Sequence, residues 1–397
     1  MVSLSSILVI FLWGSVLIIY GRELAARWRE PVLLQPVVIF ESDDWGAGPI
    51  EQVHGLEAVS QVLCRHQNKF GEKPVMTLGI ILGNFSESKK NHEEQGMPAL
   101  SYLGDPQNNS LRAVMEKGAK EKIFSFQLHG LFHFSLSVLK QSSDRGNSMA
   151  FQESEGGLWT ESLPNALQSS WVNGSVLPSK DLPLPEITAV IAQERDLWNC
   201  IFHETPKVAV PTTFIWDSRV EAAWAEIGVR VVVTPGCRYR GRDSGGQPDR
   251  PDRDVLNGQR GESNVIYVVR DIYFEPALGH SIERLVTEIK CRMYLSRPAL
   301  IETHRFNYVG PRADAEAFNQ LDTAIETILS AVPSVRFLST VELADLLVSR
   351  DPDWISNSIG IRCRAMLARL KDVRQFWRIA KLTGLAVPIL LLEYLLA

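Results

Sequence analysis

Val37 to Gly48 reads VVIFESDDWGAG: an apolar, largely β-branched run passes into adjacent carboxylates, Asp43 and Asp44, and then into a glycine-containing turn. Such a run bounded by a turn is a buried strand. Ionisable residues at its end stand where catalytic groups collect in parallel barrels. On an extended chain, neighbouring side chains face opposite ways. At a strand-to-loop bend both carboxylates can enter one cleft, one directed to a metal and the other to a proton. By itself the pair serves equally well as a cap for the following helix.

Six more runs of the same kind alternate with amphipathic stretches. The strands are Pro36–Ser42, Pro74–Leu82, Lys122–Leu128, Lys207–Val210, Val229–Thr234, Val265–Val269 and Ala299–Thr303. Helical periodicity falls at Ile50–Gln67, Leu111–Lys120, Glu186–Phe202, Arg219–Glu226, Ile282–Tyr294, Asp314–Ser330 and Thr340–Val348. This alternation predicts parallel strands joined by helices, in a number sufficient for an α/β barrel.

Two other strand ends carry chemistry. KIFSFQLHGLFHFS places His129 and His133 after a strand, four residues apart on either side of Gly130. On a helical turn that spacing puts two imidazoles on one face, where they can share a metal ion. RPALIETHRFNYVG ends a later strand in His304, whose near-neutral pKa suits it to donate a proton to a leaving group.

Together these elements resemble the polysaccharide deacetylase family of the NodB type over about Val37 to Leu347. The resemblance implies an irregular (β/α)7 barrel with long loop insertions. The matching residues are Ser42-Asp43-Asp44-Trp45-Gly46, His129 to His133, Val210-Pro211-Thr212-Thr213-Phe214 with Asp217 nearby, and Thr303-His304. By that resemblance Asp44, His129 and His133 hold a divalent metal, Asp43 is the catalytic base and His304 the catalytic acid. Pro211, Thr213, Phe214 and Trp45 line the substrate or oxyanion position. Zn2+ suits two histidines and one carboxylate. The family's arginine before the proline motif has no counterpart in VAVPTTF, which leaves Arg270, Arg305 and Asp217 to orient the base. The closing stretch VRFLSTVELADLL also resembles the end of such domains.

The expected activity is therefore metal-dependent hydrolysis of an acyl group, acetyl in the family, from an N-acetylated sugar or polysaccharide. A lipid-linked sugar is one candidate substrate. Two other readings stay open. One is a metal-independent, glycosidase-like barrel using Asp43 or Glu302 as nucleophile or acid. The other is a non-catalytic glycan-binding or assembly protein on the same fold.

Composition narrows the partners. The 397 residues carry 41 Lys+Arg against 46 Asp+Glu, a formal charge of −5 that excludes nucleic acid as a default partner. Five scattered cysteines form no CxxC pair, so neither a thiolate zinc site nor a disulfide framework is expected. Leu4 to Tyr20 is almost wholly apolar and is followed by Arg22, Arg27 and Arg29, which reads as an uncleaved anchor over residues 1–30. The barrel then occupies residues 31–350, with insertions at 141–185 and 238–262. Residues 351–397 form a basic and then apolar segment that either touches a membrane or packs as a terminal helix. Basic flanks on the barrel side of both ends place the barrel on the cytoplasmic face, an export anchor being the alternative. In the first insertion Trp159 and Trp171 are candidates either for stacking on sugar or for packing onto the barrel. Arg238 to Val255 reads as a solvated, mobile loop without function.

Overall fold

The computed structural model describes residues 4–86, 99–144, 163–310, 313 and 315–396. Each of the seven strand runs joins one sheet: β1 Val37–Gly46, β2 Met76–Ile81, β3 Phe124–Gly130, β4 Val208–Ala209, β5 Val231–Thr234, β6 Ile266–Val269 and, beyond a two-residue β7 at Ile272–Tyr273, β8 Ala299–His304. A ninth strand, β9 Arg336–Phe337, pairs with the beginning of β1. β7 and β9 are too short to show a period, which is why the sequence pattern omitted them. The order is β6-β5-β4-β3-β2-β1-β8-β7, parallel at every pairing. The two edges, β6 and β7, are separated in sequence by Arg270 and Asp271 alone. The chain itself therefore brings the edges together, and the sheet curls into an irregular barrel with its seam at Arg270.

Two helices precede the barrel, α1 Leu4–Ile19 and α2 Gly21–Arg29. Within it run α3 Gln52–Cys64, α4 Asn109–Lys120, α5 Leu136–Asp144, α6 Leu184–Phe202, α7 Ser218–Glu226, α8 Ile282–Tyr294, α9 Ala315–Ala331 and α10 Thr340–Ser349. Three follow: α11 Ile359–Arg369, α12 Arg374–Leu382 and α13 Ala386–Leu395.

Both faces of the sheet are buried, as continuous apolar strands require. Val38, Phe40, Leu78, Leu128, Val232 and Ile301 pack outward in the large core with the crossover helices. The opposite alternates, Val37, Ile39, Val231, Ile266, Val268 and Leu300, pack with Leu343 and Leu347 of α10. Continuing these alternates along the strands reaches Glu41 and Asp43 on β1, Arg270 after β6, and Glu302 on β8. One face is thus apolar where strands start and ionised where they end.

The apolar run Leu4–Tyr20 does not continue as one straight rod. The axis turns by 64° between α1 and α2, and no single helix among the described residues is long and apolar enough to cross a membrane. The two chain ends meet instead: Val16 clusters with Phe376, Ala380 and Ile389, and the Trp13 indole donates to the Thr383 carbonyl at 2.9 Å. Fully buried Arg369 donates to the carbonyls of Glu30, Pro31, Leu295 and Ser296. These carbonyls precede β1 and β8, so the terminal helices join the barrel at the end where its strands begin.

The first insertion follows one of its two readings, and the second needs a correction. Trp159 lies outside the described residues, and Trp171 is buried edge-on against Trp224 with ring centroids 5.4 Å apart, so it is unavailable to a sugar. The 238–262 segment is solvated over much of its length, as expected, but it is anchored. Arg238 is buried on Asp252, and Arg242 is buried on Ser169 and the Gly246 carbonyl. Its mixed charges pair internally, which a composition count does not reveal.

Gly46 turns β1 away at φ 133°, and a Cβ there would lie 2.0 Å from the Ile81 carbonyl oxygen. Gly46→Ala should therefore cost about 2–4 kcal/mol of stability, from a side chain in strained backbone with no space to relax. Urea denaturation of the variant against wild type measures it.

Candidate active site

The expected strand end at Ser42 is corrected by four residues, because β1 runs on to Gly46 and carries both carboxylates within it. A bulge separates their directions. Register with β2 holds to Ser42 and resumes at Trp45, while Asp44 takes φ 73°, a left-handed value that Asp tolerates better than β-branched residues. The alternation breaks, and both carboxylates reach the same cleft. Space for Asp43 comes from the neighbouring strand, where a Cβ on Gly79 would meet its Oδ1 at 2.2 Å.

The histidine pair also forms in a way the spacing did not suggest. His129 belongs to β3, and His133 lies beyond it in a turn that is not helical, opened by Gly130 at φ 125°. The turn is pinned by buried Glu194 of α6, whose carboxylate accepts the Leu131 N–H at 2.8 Å and the Trp224 indole N–H at 3.1 Å. Without competing cations nearby, burial pushes Glu194 up to about 7.

Asp44 Oδ1 lies 3.5 Å from His129 Nε2 and 3.4 Å from His133 Nε2, and all three side chains are buried. The His129 Nδ1 is 3.0 Å from the Val210 carbonyl, which directs Nε2 at Asp44; burial would lower the pKa of this imidazole, but Asp43 and Asp44 raise it, and a cation bound at Nε2 would take the place of that proton. Burial drives the His133 imidazole down to about 4 despite Asp44 beside it, so it stays neutral. Burial would raise Asp44, but the two histidines and His304 hold it far below the usual carboxylate range. Asp44 Oδ1 has no hydrogen-bond partner among the described residues. A buried acceptor facing two imidazole nitrogens fits a divalent cation, and these three residues form a group with ligand atoms within 4.8 Å of one another.

Arg270 supplies what VAVPTTF lacks. Its guanidinium donates to Asp43 Oδ2 at 2.6 Å and Glu41 Oε2 at 2.7 Å, and its Nε lies 3.1 Å from Glu302 Oε2. Burial would raise Asp43, but Arg270 first and His129 next hold it below the ordinary range. Glu302, buried beside Asp43 and Glu275, is pushed up to about 7 even though Arg270 pulls it down. The other two candidates act elsewhere: Asp217 caps α7 and pairs with Arg219, and Arg305 is buried in the turn after β8.

His304 faces this group from β8. Burial would lower its pKa, yet Glu275 at 2.6 Å from Nδ1 and Glu302 at 3.7 Å from Nε2 push it up to about 10. Glu275 escaped the sequence analysis. It sits in RDIYFEPALGH, where no periodic pattern or spacing marks it, and it is held by the Asn307 amide.

These residues border a cleft of about 450 Å³ with Pro211, Thr213, Phe214, Tyr273 and Phe306, and with Asn165 and Gln168 from the first insertion. The backbone donors near Thr213 are fewer than expected, because the Phe214 N–H is already bonded to the Pro211 carbonyl at 2.9 Å. Thr213, at φ 55°, is left as the candidate donor. Trp45 is corrected outright. It is wholly buried, its indole donates to Ser42 Oγ at 2.8 Å, and it borders the core instead of the cleft. The bulge that brings Asp44 in also turns the next side chain away.

No protein-family model matches the chain, and no curated protein does. Solved structures are similar at low identity. One from Mycobacterium smegmatis described as a polysaccharide deacetylase has 13% identity and a TM-score of 0.44, covering 81% of this chain and 94% of that one. A family 4 acetyl xylan esterase from Clostridium thermocellum, solved with cobalt, has 12% identity and a TM-score of 0.37, covering 78% and 91%. A peptidoglycan deacetylase from Bacillus subtilis has 10% identity and a TM-score of 0.37, covering 80% and 95%. Polysaccharide and peptidoglycan deacetylases are thus among the similar structures, the class that the strand-end motifs resemble. Likeness at this level carries no inference about activity, which is left to the side chains in the cleft.

Arg270→Gln should lower stability at pH 7 by about 3–5 kcal/mol, because it strands buried carboxylates without their cation. The deficit should shrink toward pH 5, where Glu41 and Glu302, both raised by burial, take up protons in the folded state. Urea titrations at the two pH values check the sign, and a deficit that grows on acidification would contradict this electrostatic account.

Proposed function

We propose that the protein hydrolyses the acyl–nitrogen bond of an N-acylated sugar in a glycan, acetyl being the expected acyl group, and that a divalent metal, zinc by its donor set, is held by Asp44, His129 and His133. The observation that carries this reading is the buried Asp44 oxygen facing two imidazole nitrogens, in a cleft whose other side holds an imidazolium charged by Glu275. Such an ion, when bound, makes a water acidic enough to ionise near neutral pH and polarises an amide carbonyl.

The chain's own residues account for the proton movements. Asp43 is kept ionised by Arg270 and accepts the proton of the attacking water. His304 is kept protonated by Glu275 and Glu302 and gives its proton to the departing amine, which leaves poorly without one. One proton enters at Asp43 and one leaves from His304, and exchange with solvent restores both. The Thr213 N–H is the backbone donor offered to the developing oxyanion. Phe214, Tyr273 and Phe306 supply flat apolar walls suited to the C–H faces of a sugar ring.

The metal-independent glycosidase reading is less well supported. Asp43 and Glu302 share one guanidinium on the cleft floor instead of facing each other across a scissile bond. The non-catalytic reading rested on a missing arginine, and an arginine from elsewhere in the chain, Arg270, does hold Asp43.

Purified protein should contain about one divalent ion per chain and release acetate from N-acetylated glycans. His133→Ala should lose the ion, whereas Asp43→Asn should retain it and lose about 10²–10⁴ in kcat. Elemental analysis and an acetate assay read the two separately. Metal retained in full by His133→Ala, or turnover kept by Asp43→Asn, would reject the assignment.

The general acid must be protonated, so activity should persist well above neutral pH and fall as pH rises through the elevated His304 pKa. Glu275→Gln removes the strongest partner raising it and should move the alkaline limb of kcat toward neutrality. A pH–rate profile in which the limb does not move would assign the proton to another group.

A further inference from the structure

A second cavity, of about 770 Å³ and larger than the cleft, lies at the opposite end of the barrel, between α2, the Leu256–Gln259 turn and the start of α12. Arg22, Arg27, Arg29 and Arg374 line it. Four carboxylates are present as well, Glu23, Glu30, Asp254 and Asp372. Glu30 and Asp372 are already held by Arg297, at 2.6 and 2.5 Å, so cationic groups outnumber the carboxylates left over. The Arg27 Nε is buried with no hydrogen-bond partner among the described residues.

Beside this cavity lies apolar surface that no part of the described chain covers. Phe11, Ile18 and Ile19 of α1 are 74%, 82% and 72% exposed, and Leu391 and Leu395 of α13 are 57% and 68% exposed. Helix α12 separates these faces from the cavity. It buries Phe376 and Ala380 against α1 and α13, and leaves Arg374, Arg378 and Lys381 exposed. Apolar helices edged by a basic belt have the composition of an interfacial membrane anchor.

We propose that the two chain ends form one membrane-binding platform, which lays α1 and α13 into a single leaflet and seats the phosphate of an anionic lipid headgroup among Arg22, Arg27, Arg29 and Arg374. The belt selects lipid over a second copy of this chain, because a copy would bring the same positive charge to the contact, whereas anionic headgroups neutralise it. The bend selects lying over spanning. α1 turns by 64° into α2, Trp13 ties α1 to the turn before α13, and the ten residues of α13 are too few to cross. The leaflet with the negative surface potential is the cytoplasmic one, so the barrel stands in the cytoplasm.

The platform also orients the cleft. β1 starts beside the terminal helices at Val37 and reaches Asp43 six residues later, about 20 Å farther on at roughly 3.3 Å per residue. The cleft therefore opens away from the bilayer, and its ligand arrives from the aqueous side. A sugar held on a lipid in the same leaflet does not reach it.

The test uses the full chain with phosphatidylcholine vesicles, with and without phosphatidylglycerol, in co-sedimentation. Wild type should bind the anionic vesicles, and the double variant Arg22→Gln/Arg374→Gln should bind them about twenty- to thirty-fold more weakly at unchanged Tm. Both substituted residues are exposed, so folding is not at issue. Washing cell membranes with alkaline carbonate should release the protein. Retention after the wash would mean a true span and overturn the proposal. Equal binding to neutral vesicles by wild type and variant would remove the headgroup site. A dimer with no vesicle affinity would assign the apolar face to a second copy, and a Tm raised by inorganic phosphate without vesicle binding would assign the cavity to a free anion.

Discussion

The guanidinium of Arg270 ties the seam of the barrel to the buried carboxylates of the cleft. It stands on the two-residue link between the sheet's edges and meets Glu41, Asp43 and Glu302 from two other strands. A buried carboxylate trio with one cation is electrostatically unequal, and the inequality is resolved by position. Asp43, on the Nη2 donor, is held ionised, while burial, with further carboxylates beside it, lifts Glu302 to about 7. Glu41 is also raised by burial and is bonded by the Thr340 hydroxyl at the head of α10. Asp43 therefore owes its charge state to a residue more than two hundred positions away in sequence.

Two histidines in one cleft are set to opposite states by the same rule. Burial disfavours the imidazolium at both, and the outcome turns on the remaining partners. His133 has Asp44 nearby but shares it with His129, and burial brings it down to about 4, the neutral form that a metal ligand requires. His304 has Glu275 at Nδ1 and Glu302 near Nε2, and they raise it to about 10 against the effect of burial, the form that a proton donor requires. Separated pKa values on neighbouring groups are how one site holds a ligand and an acid of the same residue type.

The barrel has polarity along its axis. Strand starts are apolar inside, capped by α10, and fastened by Arg369 to the helices of both chain ends. Strand ends are ionised and bordered by loops. Apolar packing supplies a rigid lower half, so the upper half can keep buried charges and unpaired acceptors that would otherwise favour opening. The bulge at Asp44 and the left-handed backbone at Thr213 both lie in the upper half, beside the cleft.

The amino-acid sequence by itself determined the seven strand runs, their alternation with helices, and the order in which Asp43–Asp44, His129–His133 and His304 arrive at strand ends. Burial on both faces of a parallel sheet leaves an unbroken apolar run, and that run is legible residue by residue. The sequence was silent where partners are distant. Arg270 meets Glu41 across 229 residues and His304 meets Glu275 across 29, and neither pairing leaves a local period. Trp45 looked like part of the cleft because it adjoins Asp44, and only the bulge, set by pairing with β2, decided that it turns into the core. The histidine spacing picked out a pair that the fold does bring together, but for a geometric reason that does not hold, since a glycine turn after a strand joins the two rings where a helix was expected. Which groups are neighbours in sequence is a covalent fact; which face a side chain takes, and which charge sits beside it, is decided by strand register and closure of the sheet.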